Sequence, residues 1–152
     1  MSYVVDTLSE GEKIGERAKL HWLNYAAAFS LTVLALLCLI YTLTDPRGAK
    51  EGYVLAAVFG IWGVYEFLKL ITVEMVVTNK RVVLKTGIIS VKTEELRTSK
   101  IESVEVEQNL AGRIFGYATI YFSGTGTSKV TFEKVASPWK VKSRADAIIE
   151  EE

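Results

Sequence analysis

The sequence has little of the chemistry that metal and redox sites need. Among its 152 residues there is one cysteine, Cys38, and one histidine, His21. A Cys/His metal site needs several such ligands and an intrachain disulfide needs two cysteines, so this chain can form neither. It also has two prolines and no low-complexity tract, which argues against a disordered chain. We therefore expect a folded protein with no metal and no cofactor.

The chain also lacks a net charge, because 18 Lys and Arg residues balance 18 Asp and Glu residues. Proteins that bind nucleic acid mainly by electrostatics need an excess of basic residues to neutralise phosphates, so we expect no nucleic-acid partner. The mean hydropathy is nevertheless positive, at +0.22, although 24% of the residues are charged. The apolar residues must therefore be segregated along the chain.

Two long apolar runs account for this segregation. Residues 23–44 hold 22 positions without a charge, and about 20 apolar residues suffice to cross the hydrocarbon core of a bilayer. The second run, 52–71, includes Glu66 and Lys69 near its end, an i,i+3 pair whose lysine stem can reach the interface. These runs predict a transmembrane helical hairpin in contact with membrane lipids. A buried hairpin of two apolar helices in a soluble protein is the alternative.

The segment between the runs favours a tight turn, since it contains Asp45-Pro46 and Gly48. Both termini then lie on one side of the membrane. Lys and Arg are more numerous on that side than in the turn, which holds Arg47 and Lys50, so the positive-inside bias predicts cytoplasmic termini.

Small residues recur along the second run at Gly52, Ala56 and Gly60. Such a stripe lets helices approach closely. Packing on the first run is the favoured interpretation, and packing on another copy, which would give a homo-oligomer, is the alternative.

Residues 1–22 are interpreted as an N-terminal lead and an interfacial helix. Ser9 and Glu12 have the spacing of a capping box, which predicts a helix from Glu10 through His21 into the first span.

Residues 72–152 change to a β pattern. Six or seven short β-branched and apolar segments are separated by turn residues, and Ser137-Pro138 then begins a helix that runs to Glu150. The fold class is therefore α+β: a membrane hairpin over 23–71, then a small antiparallel β-barrel or sandwich with a C-terminal helix. Because the apolar positions of 72–135 alternate, we expect residues 72–152 to fold alone as a soluble domain.

Several motifs in this region carry a family resemblance. They are a T-x-x-R strand, a glycine turn, a K-I-x-x-V-x-V-x-Q strand and a G-R-x-x-G turn, carried here by Thr78/Arg81, Gly87, Lys100/Ile101/Val104/Val106/Gln108 and Gly112/Arg113/Gly116. With the two spans upstream, residues 9–150 resemble the bacterial pleckstrin-homology-like membrane proteins. The resemblance implies a split-barrel fold, a cytoplasmic-side domain and a prokaryotic inner membrane, and implies little about activity. Arg81 and Arg113 are interpreted as anchoring donors rather than ligand sites.

Candidate binding residues follow from the expected meander of strands, whose turns alternate between the two ends of the domain. Turns far from the membrane carry the candidate partner-binding residues Lys80, Lys100 and Lys129. The near side carries the candidate membrane-surface residues Lys69, Lys85, Lys92, Leu110, Ile114 and Phe115. The last three could instead close the bottom of the barrel.

The sequence shows no nucleophile with a neighbouring base, so we do not expect an enzyme. The favoured function is an integral-membrane adaptor or scaffold that presents its β domain for protein–protein interaction. The expected partner is a membrane protein or a cytoplasmic protein. The alternative is a module that senses anionic lipid headgroups.

Overall fold

The computed structural model describes residues 3–44 and 49–150 of the chain. The predicted turn residues 45–48 lie outside the described residues, so the turn stays a prediction. The described residues form two compact units. One consists of residues 22–71, and the other combines residues 3–21 with residues 72–150.

The secondary-structure elements are, in chain order, α1 (Tyr3–Asp6), β1 (Ile14–Leu20), a 3-10 turn (Trp22–Tyr25), α2 (Ala26–Thr44), α3 (Ala49–Ile71), β2 (Glu74–Thr78), β3 (Arg81–Thr86), β4 (Lys92–Arg97), a 3-10 turn (Thr98–Lys100), β5 (Ile101–Glu107), α4 (Leu110–Phe115), β6 (Tyr117–Gly124), β7 (Lys129–Ala136) and α5 (Pro138–Glu150).

The helical unit contains two segments long and apolar enough to cross a membrane, Trp22–Thr44 and Lys50–Ile71. Only 11% and 6% of these segments are buried within the protein. Helices that formed the core of a soluble protein would be mostly buried, so the soluble-hairpin alternative is disfavoured. Lys69 lies 3.7 Å from Glu66, as the i,i+3 spacing predicts.

Close packing of α2 on α3 explains part of the small-residue stripe. A Cβ atom on Gly52 would lie 1.9 Å from the Thr42 methyl carbon, whereas one on Gly60 would make an ordinary 3.9 Å contact with Ala35. Gly63, which the stripe did not include, also lies tightly against α2, where an added Cβ would come within 3.1 Å of the Thr32 hydroxyl. Gly52 therefore packs within the hairpin, as the favoured interpretation predicts.

The second unit is an open, seven-stranded antiparallel sheet in the order β4-β3-β2-β1-β7-β6-β5. This confirms the α+β class. Its apolar core includes Met75, Val82, Ile120, Phe122 and Phe132. The rings of Phe122 and Phe132 meet edge to face at 5.1 Å between centroids. Helix α5 closes the core by burying Val141 and Ala145.

The predicted N-terminal interfacial helix is wrong, because residues 14–20 form the central strand β1. Ala18 lies opposite Met75 of β2, and Lys19 lies opposite Ala136 of β7. Burial along β1 alternates residue by residue, which is the period of a strand. Residues 3–21 are therefore part of the β domain and not a separate lead.

The capping-box spacing at Ser9 and Glu12 is real but serves a turn. The Ser9 backbone N–H donates to the Glu12 carboxylate at 2.8 Å, which is the predicted reach-back bond. Gly11 between them has a φ of +75°, and an α-helix cannot continue through a left-handed residue. Glu12 therefore ends the turn and the chain enters β1.

The residues before this turn also pack on the sheet, where an extended lead was expected. Helix α1 places Val4 in a fully buried position against Val76 and Val83, on a second small apolar cluster. The Tyr3 backbone N–H donates to the Glu74 carboxylate at 3.1 Å.

Candidate functional site

Three turns that sequence reasoning assigned to one end of the domain are contiguous in the structure. The Thr98 backbone N–H donates to the Lys80 carbonyl at 3.0 Å, and the Thr125 N–H donates to the Lys100 carbonyl at 3.1 Å. Lys129 begins β7, opposite Ser123. We name this region, with the exposed side chains of Lys80, Lys100 and Lys129, the basic turn surface.

Some side chains of the basic turn surface are held in place. The Lys80 ammonium donates to the Glu10 carbonyl at 2.6 Å, and the Lys129 ammonium lies 4.0 Å from the centroid of the Tyr121 ring. A cation over an aromatic face is attracted by the ring quadrupole. The Tyr121 hydroxyl donates to Glu107, which raises the pKa of Tyr121, so the ring stays neutral near pH 7.

Sequence reasoning missed Lys13, which lies beside the basic turn surface. Its backbone N–H donates to the Asn79 side chain at 2.7 Å, and its carbonyl accepts from the Asn79 N–H at 3.1 Å. Lys13 was placed in a helix leading to the membrane. Its place at the Asn79 turn follows from the pairing of β1 with β2, which the local sequence pattern does not show.

The candidate membrane-surface lysines of the β domain are already paired within the protein. Lys85 lies 3.6 Å from Glu74, and Lys92 lies 2.6 Å from Glu94. The Lys85 side chain is also mostly buried. Ion pairing lowers the charge that these lysines can offer to anionic headgroups, so electrostatic lipid binding has less support than the sequence suggested.

The apolar candidates lie on α4 and point outward. Leu110 and Ile114 are each 79% exposed, and Phe115 is about half exposed. The alternative that Leu110 and Ile114 close the bottom of the barrel is therefore wrong. The exposed Arg113 side chain forms no hydrogen bond or ion pair with any residue in 3–44 or 49–150, so it is not an anchoring donor there.

The family motif around α4 fixes this outward display. The Asn109 side chain accepts from the Gly112 N–H at 2.6 Å and caps α4. The Gln108 amide donates to the carbonyls of Gly112 and Tyr117, each at 3.1 Å. A Cβ on Gly112 would lie 2.5 Å from the Tyr117 carbonyl oxygen, so only glycine fits there.

Further large apolar side chains are exposed in places that sequence reasoning did not select. Ile89 and Val91 are exposed in the β3–β4 turn, Ile89 to 94%, and Trp139 is exposed at the start of α5. The β3–β4 turn is tight, because a Cβ on Gly87 would lie 2.0 Å from the Ser90 carbonyl oxygen. Glycine therefore shapes the turn that exposes Ile89.

Arg81 is a structural clamp, as its interpretation as an anchoring donor predicts. Its Nε donates to Glu12 Oε1 at 2.9 Å and its Nη2 donates to Glu12 Oε2 at 3.2 Å. Nη1 donates to Glu95 at 2.9 Å, and Nη2 also donates to the Thr7 carbonyl at 2.6 Å. The Thr78 hydroxyl donates to Glu12 as well. The clamp thus ties residues 7–12 to β2, β3 and β4.

The protonation states of the clamp follow from these bonds. Burial by itself raises the pKa of Glu12, but hydrogen bonds from the Ser9 N–H, Arg81 and Thr78 outweigh it and lower the pKa below its ordinary value of 4.5. The hydrogen bond to Glu12 raises the pKa of Arg81 above its ordinary value. Both groups are charged at neutral pH.

Among residues 3–44 and 49–150, no group of three or more His, Cys, Asp and Glu side chains could hold a metal ion. The features that these residues do offer for binding include the basic turn surface and the exposed apolar side chains.

Comparison with known proteins identifies the family to which the chain belongs. The family model described as "bacterial PH domain", where PH stands for pleckstrin homology, matches residues 20–151. A crystal structure of a DUF1696 family protein with a pleckstrin-homology domain, from Shewanella loihica PV-4, is 22% identical and covers 53% of this chain and 73% of its own. Its TM-score is 0.42, too low to add an argument. No curated protein matches the chain. The family match spans most of the chain, which therefore belongs to the bacterial pleckstrin-homology domain family.

Proposed function

We propose that this protein is a membrane adaptor whose helical hairpin holds a pleckstrin-homology-like domain at the cytoplasmic face, where the domain binds a protein partner. Domains with this fold are in general interaction or lipid-binding modules rather than catalysts. The basic turn surface is the observation that carries the proposal, because it brings three separate turns and their exposed lysines together. Charged surfaces of this kind steer and select partners.

The position of the basic turn surface in the sheet supports a partner in solution. Lys80 lies in the turn between β2 and β3, whereas Glu74 and Lys85 pair at the other end of these strands. Glu74 follows Ile71, the end of the second apolar segment, by only three residues. Along the chain, the β2–β3 turn that carries Lys80 is therefore farther from the membrane segment than the end of the hairpin where Glu74 and Lys85 pair.

Charge reversal of the basic turn surface is expected to reduce partner binding. Changing Lys80, Lys100 and Lys129 to Glu should lower the amount of partner that co-purifies in mild detergent about tenfold, because each reversal replaces attraction by repulsion. Quantitative mass spectrometry of the purified complex measures this.

The matched control changes three other exposed basic residues, Arg17, Lys19 and Arg144, to Glu. It alters the net charge equally and should leave co-purification within about twofold. Equal losses in both variants would show a general charge effect and contradict the proposal. Lys85 is unsuitable as a control, because Glu at that position would face Glu74.

Lipid sensing is the second candidate, and the exposed apolar side chains favour it. Leu110, Ile114 and Phe115 lie just before Tyr117, whose ring is 5.4 Å from that of His21. His21 directly precedes the first apolar segment. Apolar side chains near a bilayer surface can insert into its interface.

The two candidates make opposite predictions for α4. If partner co-purification survives changes of Leu110 and Ile114 to Ser and fails with the lysine reversals, the adaptor function is supported. If the lysine reversals have no effect and the α4 changes abolish lipid-dependent function in cells, lipid sensing replaces it.

A further inference from the structure

Strand β5 is one of the two open edges of the sheet. One side of β5 pairs with β6, from Ile101 opposite Gly124 to Glu107 opposite Thr119. The other side has no neighbouring strand among the described residues. An edge strand presents unpaired backbone N–H and C=O groups, and an extended peptide can add to it as a further strand.

A groove of about 160 Å³ adjoins this edge, between β5 and α5. Its lining includes the apolar side chains of Ile101, Val104 and Ile149. It also includes the carboxylates of Glu102, Asp146 and Glu150. Asp146 is already paired with Lys142, so the negative charge that the groove offers comes from Glu102 and Glu150, beside the apolar side chains and next to backbone groups that can pair.

The two faces of β5 differ in chemistry. Val104 and Val106 pack partly against the core, whereas Glu105 and Glu107 are exposed on the opposite face. Side chains of neighbouring strands interact with those on the same face. A strand added to β5 would therefore place alternate side chains next to the valines and the groove, and the others next to Glu105 and Glu107. The register shift between Ile101 and Ser103 interrupts this alternation, so Glu102 lies at the groove rather than with Glu105.

The carboxylates of β5 are more available than those of β4, the other edge strand. On β4, Glu94 pairs with Lys92 and Glu95 pairs with Arg81. On β5, Glu102 and Glu105 form no hydrogen bond or ion pair with any residue in 3–44 or 49–150. Unpaired carboxylates beside an open edge favour a basic partner over an acidic one.

We propose that β5 and its groove bind an extended segment of a partner protein in which lysine or arginine alternates with apolar residues. The segment adds to the sheet edge and its apolar side chains enter the groove beside Val104 and Ile149. Its basic side chains lie along Glu105 on the opposite face and, beyond the register shift between Ile101 and Ser103, beside Glu102 at the end of the groove. This inference rests on the proposed adaptor function and names the chemistry of a second contact with the partner.

Hydrogen exchange of the full chain in phosphatidylcholine nanodiscs tests the inference. The probe is a short peptide that alternates lysine and valine. Because the phosphatidylcholine headgroup has no net charge, the peptide has little attraction to the lipid. The peptide should slow exchange of those β5 amides that do not pair with β6 about tenfold, because backbone pairing protects edge amides. The amides of β4 serve as the internal reference and should not change.

Two control peptides separate strand addition from charge attraction. A peptide that alternates glutamate and valine should not protect β5. A lysine–valine peptide with methyl groups on alternate backbone nitrogens keeps its charge but cannot pair along one side, and it should also fail to protect β5. Equal protection by the methylated peptide, or equal protection of β4, would overturn the inference.

Charge reversal at the edge gives an independent measurement. Changing Glu102 and Glu105 to Lys should weaken peptide binding about tenfold, because both residues would then repel the basic side chains. Changing Glu10 and Glu133, which are exposed elsewhere in the domain, to Lys is the matched control and should change the affinity by less than about twofold. Equal losses in the two variants would count against the edge site.

The remaining outcomes distinguish this inference from the adaptor function. If the lysine reversals of the basic turn surface reduce partner co-purification but the Glu102 and Glu105 reversals do not, the adaptor stands and the edge site fails. If neither set of charge reversals reduces partner co-purification, both the adaptor function and the edge site fail. If β5 becomes protected without peptide as the number of chains per nanodisc rises, a second copy occupies the edge and the inference is wrong.

Discussion

Residues 72–152 expressed alone are expected to remain unfolded, because they lack the central strand β1. Strand β1 lies between β2 and β7 and pairs with both. Without it the sheet separates into a three-stranded part, β2 to β4, and another, β5 to β7. The core also loses Ala18 and Leu20. This reverses the expectation from sequence that 72–152 folds alone.

A variant with residues 1–21 joined to residues 72–152 through an Asn-Gly turn is expected to fold. Ala18 lies opposite Met75, so the same register brings His21 close to Thr72. An Asn-Gly turn can join two antiparallel strands with that spacing. Circular dichroism and the dispersion of amide NMR signals should show a β-rich, cooperatively melting protein. A cooperative fold in the 72–152 fragment, with none in the joined variant, would contradict the placement of β1.

The second large effect is expected at the Glu12–Arg81 clamp. The Glu12 side chain is 1% exposed and the Arg81 side chain 18%. Changing Glu12 to Gln leaves Arg81 without its main counter-charge, and losing one partner of a buried pair costs about 3 kcal/mol. Hydrogen exchange of the β2 and β3 amides in the full chain, reconstituted in nanodiscs, measures the loss.

The surface pair between Glu16 and Lys140 provides the control for the clamp. Lys140 is 66% exposed, and pairs of this kind contribute less than about 1 kcal/mol. Changing Glu16 to Gln should therefore have little effect on exchange. A similar loss in both variants would mean that the clamp has no special part in stability.

The clamp also predicts a dependence of stability on pH. Because folding lowers the pKa of Glu12, its carboxylate stabilises the fold above its ordinary pKa of 4.5. That contribution is lost as the pH falls through the lowered value. The Glu12→Gln variant cannot titrate at this position. The difference in free energy of unfolding between the variant and the unaltered protein should therefore shrink as the solution is acidified below about pH 4.5. A deficit that grows in acid would contradict the assigned bonds.

Sequence predicted the strands after residue 72 well, because their turns carry clear chemistry. The sequence pattern predicts strands over residues 101–107 and 88–97, and β5 has the predicted bounds, Ile101–Glu107. Strand β4 begins at Lys92 rather than at Ile88. The reason is the Gly87 turn, which extends through Ser90 and exposes Ile89. Ile89 is β-branched and apolar, which is typical of a strand residue, but it lies in a turn.

The N-terminal segment could not be placed from local pattern alone. The seven residues of β1 carry charges at Glu16, Arg17 and Lys19, a pattern that fits a short helix nearly as well as a strand. The decision comes from distant partners, since β1 pairs with strands more than fifty residues away in sequence. The contiguity of Lys80, Lys100 and Lys129 was predictable from a meander, whereas the groove beside β5 depends on where α5 packs.

The central proposal is that a membrane hairpin is inserted within one β domain on the cytoplasmic side, and cysteine labelling in intact cells tests it most directly. In a Cys38→Ser background, single cysteines replace Ser9, Lys50 or Ser128, all of which are exposed. Because β1 and β2 belong to one sheet, Ser9 and Ser128 must lie on the same side. An impermeant maleimide should label the cysteine at position 50 in intact cells, and those at positions 9 and 128 only after the cells are permeabilised. Labelling at 9 and 128 but not at 50, or different behaviour at 9 and 128, would contradict the account.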